Sequence, residues 1–347
     1  MQSSGGVASG GLTSTSSAEN SSGSPIGDTP ESSGGNSGPP SSVCFVPESV
    51  SQDTDSKFVD PLEVRDRITR LLLGVPSSAY ALPDTTTRAW AAELARQIAR
   101  DTVPLPFLRR FFAFWFDNDE AWNTQKPYQA TSLALEWGDT WATTLAQHWS
   151  FQKLMTASTP QARDVGLLTD TRLLSRYTEI ANRGAWLTNK LLCLGAPPEP
   201  TNFRAPPPPE GITRRDHLAA QVDHEPCRSC HHWFDPAGWA LEHFDERGEY
   251  RTSDRGLSID SAGELPLAFD DSKVTFSSIN DLSEQLVGSC AVAHCMAKTL
   301  TSMALNAAGV SATPSEAELQ HIANEFRSEH SALDMIAAIA ASPSMLR

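Results

Sequence analysis

The run His224-Glu225-Pro226-Cys227-Arg228-Ser229-Cys230-His231-His232 places two cysteines three positions apart and a histidine directly after the second. A C-x-x-C-H run is the attachment signature of c-type haem: two thiols add across the porphyrin vinyl groups, and the adjacent imidazole becomes the proximal iron ligand. The spacing asks for one helical turn, which sets the sulfurs about a porphyrin edge apart and swings the next side chain beneath the iron. The motif is therefore expected on helix and turn, with Cys227–His231 forming about one helical turn.

The remainder of the 347 residues supplies the scaffold. Residues 1–43 are almost entirely Ser, Gly, Pro, Thr and other small residues without apolar periodicity, and read as a disordered tether. The rest carries nine Trp and fourteen Phe, ample for a packed core. With 42 acidic residues against 27 basic ones, the formal charge is −15, and no Lys/Arg block rises above that background. Nucleic-acid binding is excluded on electrostatic grounds. No apolar run approaches the length of a membrane span, so membrane contact is expected only through a lipid anchor.

Apolar periodicity predicts a mainly α fold. Asp60 as N-cap, Pro61 and Glu63 open a helix that Gly74 ends, with Val64, Ile68, Leu71 and Leu72 on one face. A second helix starts among Thr85–Thr87 and carries Trp90, Leu94 and Ile98. Residues 104–117, with Phe107, Phe111, Phe112, Phe114, Trp115 and Phe116, predict a helix apolar on nearly every side and therefore central. One long helix is predicted over 129–155, and a strand-like start at Gly166–Thr169 precedes further helix to Leu194. Two Pro clusters make 196–210 an extended connector. The expected organisation is a helical domain over 58–195, the connector, and a haem-motif domain over 211–347 with short strands and a helical C-terminal cap.

Downstream of the motif run Phe234-Asp235-Pro236-Ala237-Gly238, Leu241-Glu242-His243-Phe244-Asp245, Gly248 and Arg251. This stretch resembles a bacterial family of haem-motif proteins abundant in planctomycetes and myxobacteria, built on a domain of unknown function numbered fifteen eighty-eight. Gly166–Thr169, Arg183-Gly184 and Leu191-Leu192-Cys193 look like its upstream half. Residues 279–347 resemble the companion domain numbered fifteen eighty-five, with Asn306 standing where that family has a Gly-Arg. The resemblance covers 163–347 and implies a cytochrome c-like architecture with no established reaction.

The motif predicts an exported monohaem c-type protein for electron transfer, with one covalent haem c held by Cys227 and Cys230 and His231 as proximal ligand. His224 is placed near the haem edge. Met296 and Met303, seven apart on one predicted helix face, are the candidates for the opposite iron position, with Met296 taken as metal ligand. Asp235-Pro236 is read as the cap of the helix carrying Trp239 and Leu241, and Gly238 as allowing close approach to the ring. Two alternatives compete: a peroxidase-like haem enzyme with an open distal site, and a scaffold in which Cys227, Cys230, His231 and His224 hold Zn²⁺. The partner is an unidentified redox protein. Because c-type haem is attached outside the bacterial cytoplasm, a periplasmic or cell-surface location follows, although Met1-Gln2-Ser3-Ser4 lacks a signal sequence. A processed chain would explain that, and a Ser/Gly-rich start suits a lipoprotein tether. In an oxidising compartment Cys44, Cys193, Cys290 and Cys295 allow three pairings, and Cys290 and Cys295 are too close along one helix to favour each other.

Overall fold

Asp60 accepts hydrogen bonds from the backbone N–H groups of Leu62 and Glu63, and so opens α1 (Pro61–Leu73) as its sequence predicts; Gly74 closes it at φ 83°. The computed structural model describes residues 44–45, 58–103, 105–116, 132–156, 166–195, 209–225, 227–267, 273–329 and 331–347. The tether expected over 1–43 and most of the connector expected over 196–210 fall outside these residues. The fold is mainly α: fourteen helices and two antiparallel hairpins are found among the described residues.

Thr87 caps α2 (Arg88–Asp101). In α3 (Pro106–Phe116) eight of eleven residues are buried, including every aromatic one, so the all-round apolar helix is central. The long helix predicted over 129–155 is two helices, α4 (Ser132–His148) and α5 (Phe151–Thr156). Between them Trp149 turns left-handed at φ 53°, and its carbonyl accepts from Ala332 N–H, a long-range partner that ends the helical register. The side chains of Leu133 and Trp137, placed on its predicted stripe, lie outside the described ones. Gly166–Thr169 is a buried 3-10 turn rather than a strand, pressed against the α5 backbone, where a Cβ on Gly166 would meet the Leu154 carbonyl oxygen at 2.0 Å.

Helices α6 (Thr171–Arg176) and α7 (Ile180–Leu192) follow, then α8 (Arg214–Val222) and α9 (Arg228–Trp239). Strand β1 (Ser253–Asp254) pairs with β2 (Leu257–Ser258), and β3 (Gly263–Pro266) with β4 (Lys273–Phe276), the latter placing Leu265 opposite Val274. The C-terminal part comprises α10 (Ile279–Val287), α11 (Cys290–Ala308), α12 (Glu316–Glu329), α13 (Ala332–Ala340) and α14 (Pro343–Leu346). Helices from both sides of the Pro-rich stretch share one hydrophobic core: α1 packs on α11, α2 on α13 and α7 on both α9 and α11.

Of the three pairings open to four cysteines, the chain adopts Cys44–Cys290 and Cys193–Cys295, with Cα separations of 5.3 and 5.5 Å. Disulfides persist in oxidising compartments, so these pairings fit an exported protein. No helix among the described residues is long and apolar enough to cross a membrane.

The contact that positions the motif is the crossing of α7 and α9. A Cβ added to Gly184 would lie 2.0 Å from the Phe234 carbonyl oxygen, and one added to Gly238 would lie 2.1 Å from that of Ile180. Two glycines thus let the helix backbones touch, and Gly238 serves this packing rather than an approach to a ring. Gly184→Ala gains about 1 kcal/mol of intrinsic helix preference. The clash with backbone that cannot rotate away outweighs it, so a net loss of about 2–3 kcal/mol is expected from urea unfolding midpoints.

Candidate functional site

The motif occupies the first turn of α9. Cys227 is the N-terminal cap residue with helical dihedrals, and its carbonyl accepts from Cys230 N–H (3.2 Å) and His231 N–H (3.1 Å). At 100° per residue Cys227, Cys230 and His231 share a face with Phe234, Ala237 and Gly238. Those last three are buried, but Cys227 is exposed and Cys230 and His231 only partly covered. The inward face of α9 is therefore uncovered over its first turn, where the two thiols sit. They are the only free cysteines, the other four being consumed in disulfides.

His231 is held from behind. Its Nδ1 lies 3.0 Å from both carboxylate oxygens of Asp235, four residues on and 2 % exposed. An Nδ1–H directed at a carboxylate leaves Nε2 as the free lone-pair nitrogen. Burial, the largest influence, pushes the Asp235 carboxyl up, while the hydrogen bond to His231 pulls it down. The reading of Asp235-Pro236 as a helix cap is overturned: α9 continues through Pro236 to Trp239, so Asp235 lies inside the helix with its side chain on His231. Phe234 packs against the imidazole, with ring centroids 4.8 Å apart, whereas Trp233, 44 % exposed, lies against His232.

Arg183 fixes the far end of α9. It is 3 % exposed and all five of its N–H groups reach backbone carbonyls, those of Leu174, Tyr177, Leu241, Phe244 and Asp245. Burial lowers its pKa to about 10, which leaves it charged at neutral pH. Beyond it, Arg251 bridges the buried carboxylates of Glu242 and Asp254. Asp254 also accepts from Arg214 N–H at 2.7 Å, satisfying a free donor at the start of α8. None of the α8 residues is buried, and Arg215 lies over the Trp239 ring at 4.2 Å. Side-chain anchors therefore hold this helix beside the motif. Neither Glu242 nor Asp245 forms a paired-carboxylate site, since Asp245 accepts from Arg247 and Glu249 N–H within its own turn.

His224 is exposed in the turn before α9. Met296 and Met303 lie in the hydrophobic core at 1 % and 3 % exposure, on α11, which packs against α1, α3, α7, α10, α12 and α13. The main neighbours of α9 are α7, α8 and β3. Among the described residues no three His, Cys, Asp or Glu side chains are grouped to hold a metal ion, so Cys227, Cys230, His231 and His224 are not gathered into a zinc set. The contact of Asp235 with His231 and that of Arg183 with the turns after α9 are the two that motif reading does not anticipate. The i,i+4 spacing of His231 and Asp235 was the available signal for the first.

Residues 164–254 match the family described as PSCyt3, protein of unknown function (DUF1588). The match takes in α6 to β1, and with them Arg183, the glycine crossing and the motif turn. No curated protein and no solved structure matches the chain.

Burial pushes the Glu242 carboxyl from its ordinary 4.5 to about 7, against the pull of Arg251. The folded chain then binds this proton more tightly than the unfolded one, so stability falls as pH rises between about 4.5 and 7 and levels off above. The span is roughly 3 kcal/mol. Glu242→Gln is expected to flatten that slope in urea titrations across the same window.

Proposed function

We propose that the first turn of α9 carries one covalently attached haem c and that the protein transfers electrons. The observation that carries this reading is the pair of free thiols, Cys227 and Cys230, on an uncovered helical face while every other cysteine is cross-linked. The donor set fits the group: two thiols one turn apart for the vinyl positions, and an imidazole whose Nε2 is left free to bind iron. When bound, haem supplies one-electron exchange at iron. Cys227 and Cys230 tether it, His231 provides the proximal nitrogen, and Asp235 fixes which ring nitrogen faces out. Trp233, 44 % exposed, offers apolar surface for a macrocycle to cover, and Phe234 backs the imidazole from the core. Met296 and Met303, the thioether candidates for the opposite position, lie in the core on α11, away from the main neighbours of α9; sulfur there would raise the potential relative to imidazole. His224 sits in the turn that leads into the tethering cysteines.

The protein works in the periplasm or at the cell surface, with residues 1–43 as a tether to a lipid anchor, and passes its electron to a redox protein. Its acidic balance suits a basic partner.

Expression alongside c-type haem maturation machinery tests this. A Soret band is expected to stay with the polypeptide through denaturation and acid-acetone extraction, and Cys227→Ala with Cys230→Ala to abolish it. Protein that emerges without the band and with stoichiometric zinc would sink the reading.

A further inference from the structure

We propose that Asp235 is a positioning residue that sets the electron affinity of the site through His231; this rests on the haem reading above. Both Asp235 oxygens lie 3.0 Å from His231 Nδ1, and no other side chain or backbone group among the described residues is hydrogen-bonded to them. The carboxylate is 2 % exposed, while the imidazole it serves is one-quarter exposed.

That arrangement is hard to explain by stability. Taking a carboxylate out of water costs several kcal/mol, and a single partner that is itself partly solvated does not fully offset it. The position lies mid-helix between Phe234 and Ala237, both buried, where an apolar residue would pack without that cost. The sole product of the burial is a strong, fixed acceptor for the Nδ1 proton.

A ligating imidazole that donates its other N–H to a carboxylate is oriented, locked into one tautomer and made more basic. Greater negative charge at Nε2 favours the more positive oxidation state of the iron it binds. Asp235 therefore holds the reduction potential below the value a neutral acceptor would give. An uncharged side chain of the same shape is expected to shift the balance toward the reduced form.

The test compares unaltered protein and Asp235→Asn, both loaded with haem, by redox titration. Asn keeps an acceptor oxygen near Nδ1 and removes the charge. The reduced-to-oxidised ratio at a fixed ambient potential is expected to rise about tenfold, which for one electron is about 59 mV. A folded, loaded variant whose potential has not moved overturns the proposal and leaves the haem reading intact. Absence of covalent haem from the unaltered protein overturns both.

A second measurement needs no substitution. In the unaltered protein before haem attachment, ring-nitrogen chemical shifts are expected to place the proton of the neutral His231 ring on Nδ1. A proton on Nε2 overturns the proposal, and this measurement decides the matter if Asp235→Asn does not fold.

Discussion

One guanidinium holds the motif-bearing helix to the rest of the molecule. Arg183, in the first turns of α7, places its five N–H groups on five carbonyls, two of them before α7 and three in the turns that follow α9. Carbonyls at the end of a helix have no partner within it and must find donors elsewhere. Here a single side chain donates to Leu241, Phe244 and Asp245 in the turns after α9, of which Leu241 and Asp245 also accept from the backbone N–H of Phe244 and Gly248. A lysine has three donors and no planar fork, and could not serve all five. Burying the charge costs solvation, but every N–H is satisfied, and such full pairing is what makes buried polar groups tolerable.

The Gly184–Gly238 crossing acts on the same pair of helices. Gly184 follows Arg183 directly, so the residue that ties down the end of α9 is adjacent to the one that lets the two backbones touch. Together they fix the axis of α9 at its C-terminal half. The first turn extends beyond this clamp, and Cys227, Cys230 and His231 project from a rigid support into open space. The motif turn is thus supported from behind and accessible in front.

Much of this was legible in local sequence. Asp60, Pro61 and Gly74 bounded α1 because caps act within one turn of the chain. The aromatic density of 107–116 located the central helix, and the short strands expected after the motif are present, pairing Leu265 with Val274. The C-x-x-C-H run marked its helical turn because its geometry is entirely local. What escaped depended on distant partners. Trp149 breaks a continuous apolar pattern through a bond to Ala332. Gly166–Thr169 has strand-like composition but meets α5 rather than a second strand. Gly238 signals a close approach in the sequence, but the backbone it meets is that of Ile180, 58 positions earlier. Asp235 before Pro236 carried a strong local turn signal, and the histidine one turn back overrode it.

The disulfide pattern has a consequence for biogenesis. Both bonds end in α11, at Cys290 and Cys295, whereas their partners Cys44 and Cys193 precede the motif. A chain emerging from its N-terminus into an oxidising space thus displays Cys44, Cys193, Cys227 and Cys230 before either correct partner has arrived. During that interval every available pairing is a wrong one, and the two motif thiols are the nearest in sequence to Cys193. Native cross-linking has to wait for the last sixth of the polypeptide, so the order in which thiols are shielded, consumed or exchanged governs the yield of correctly paired molecules.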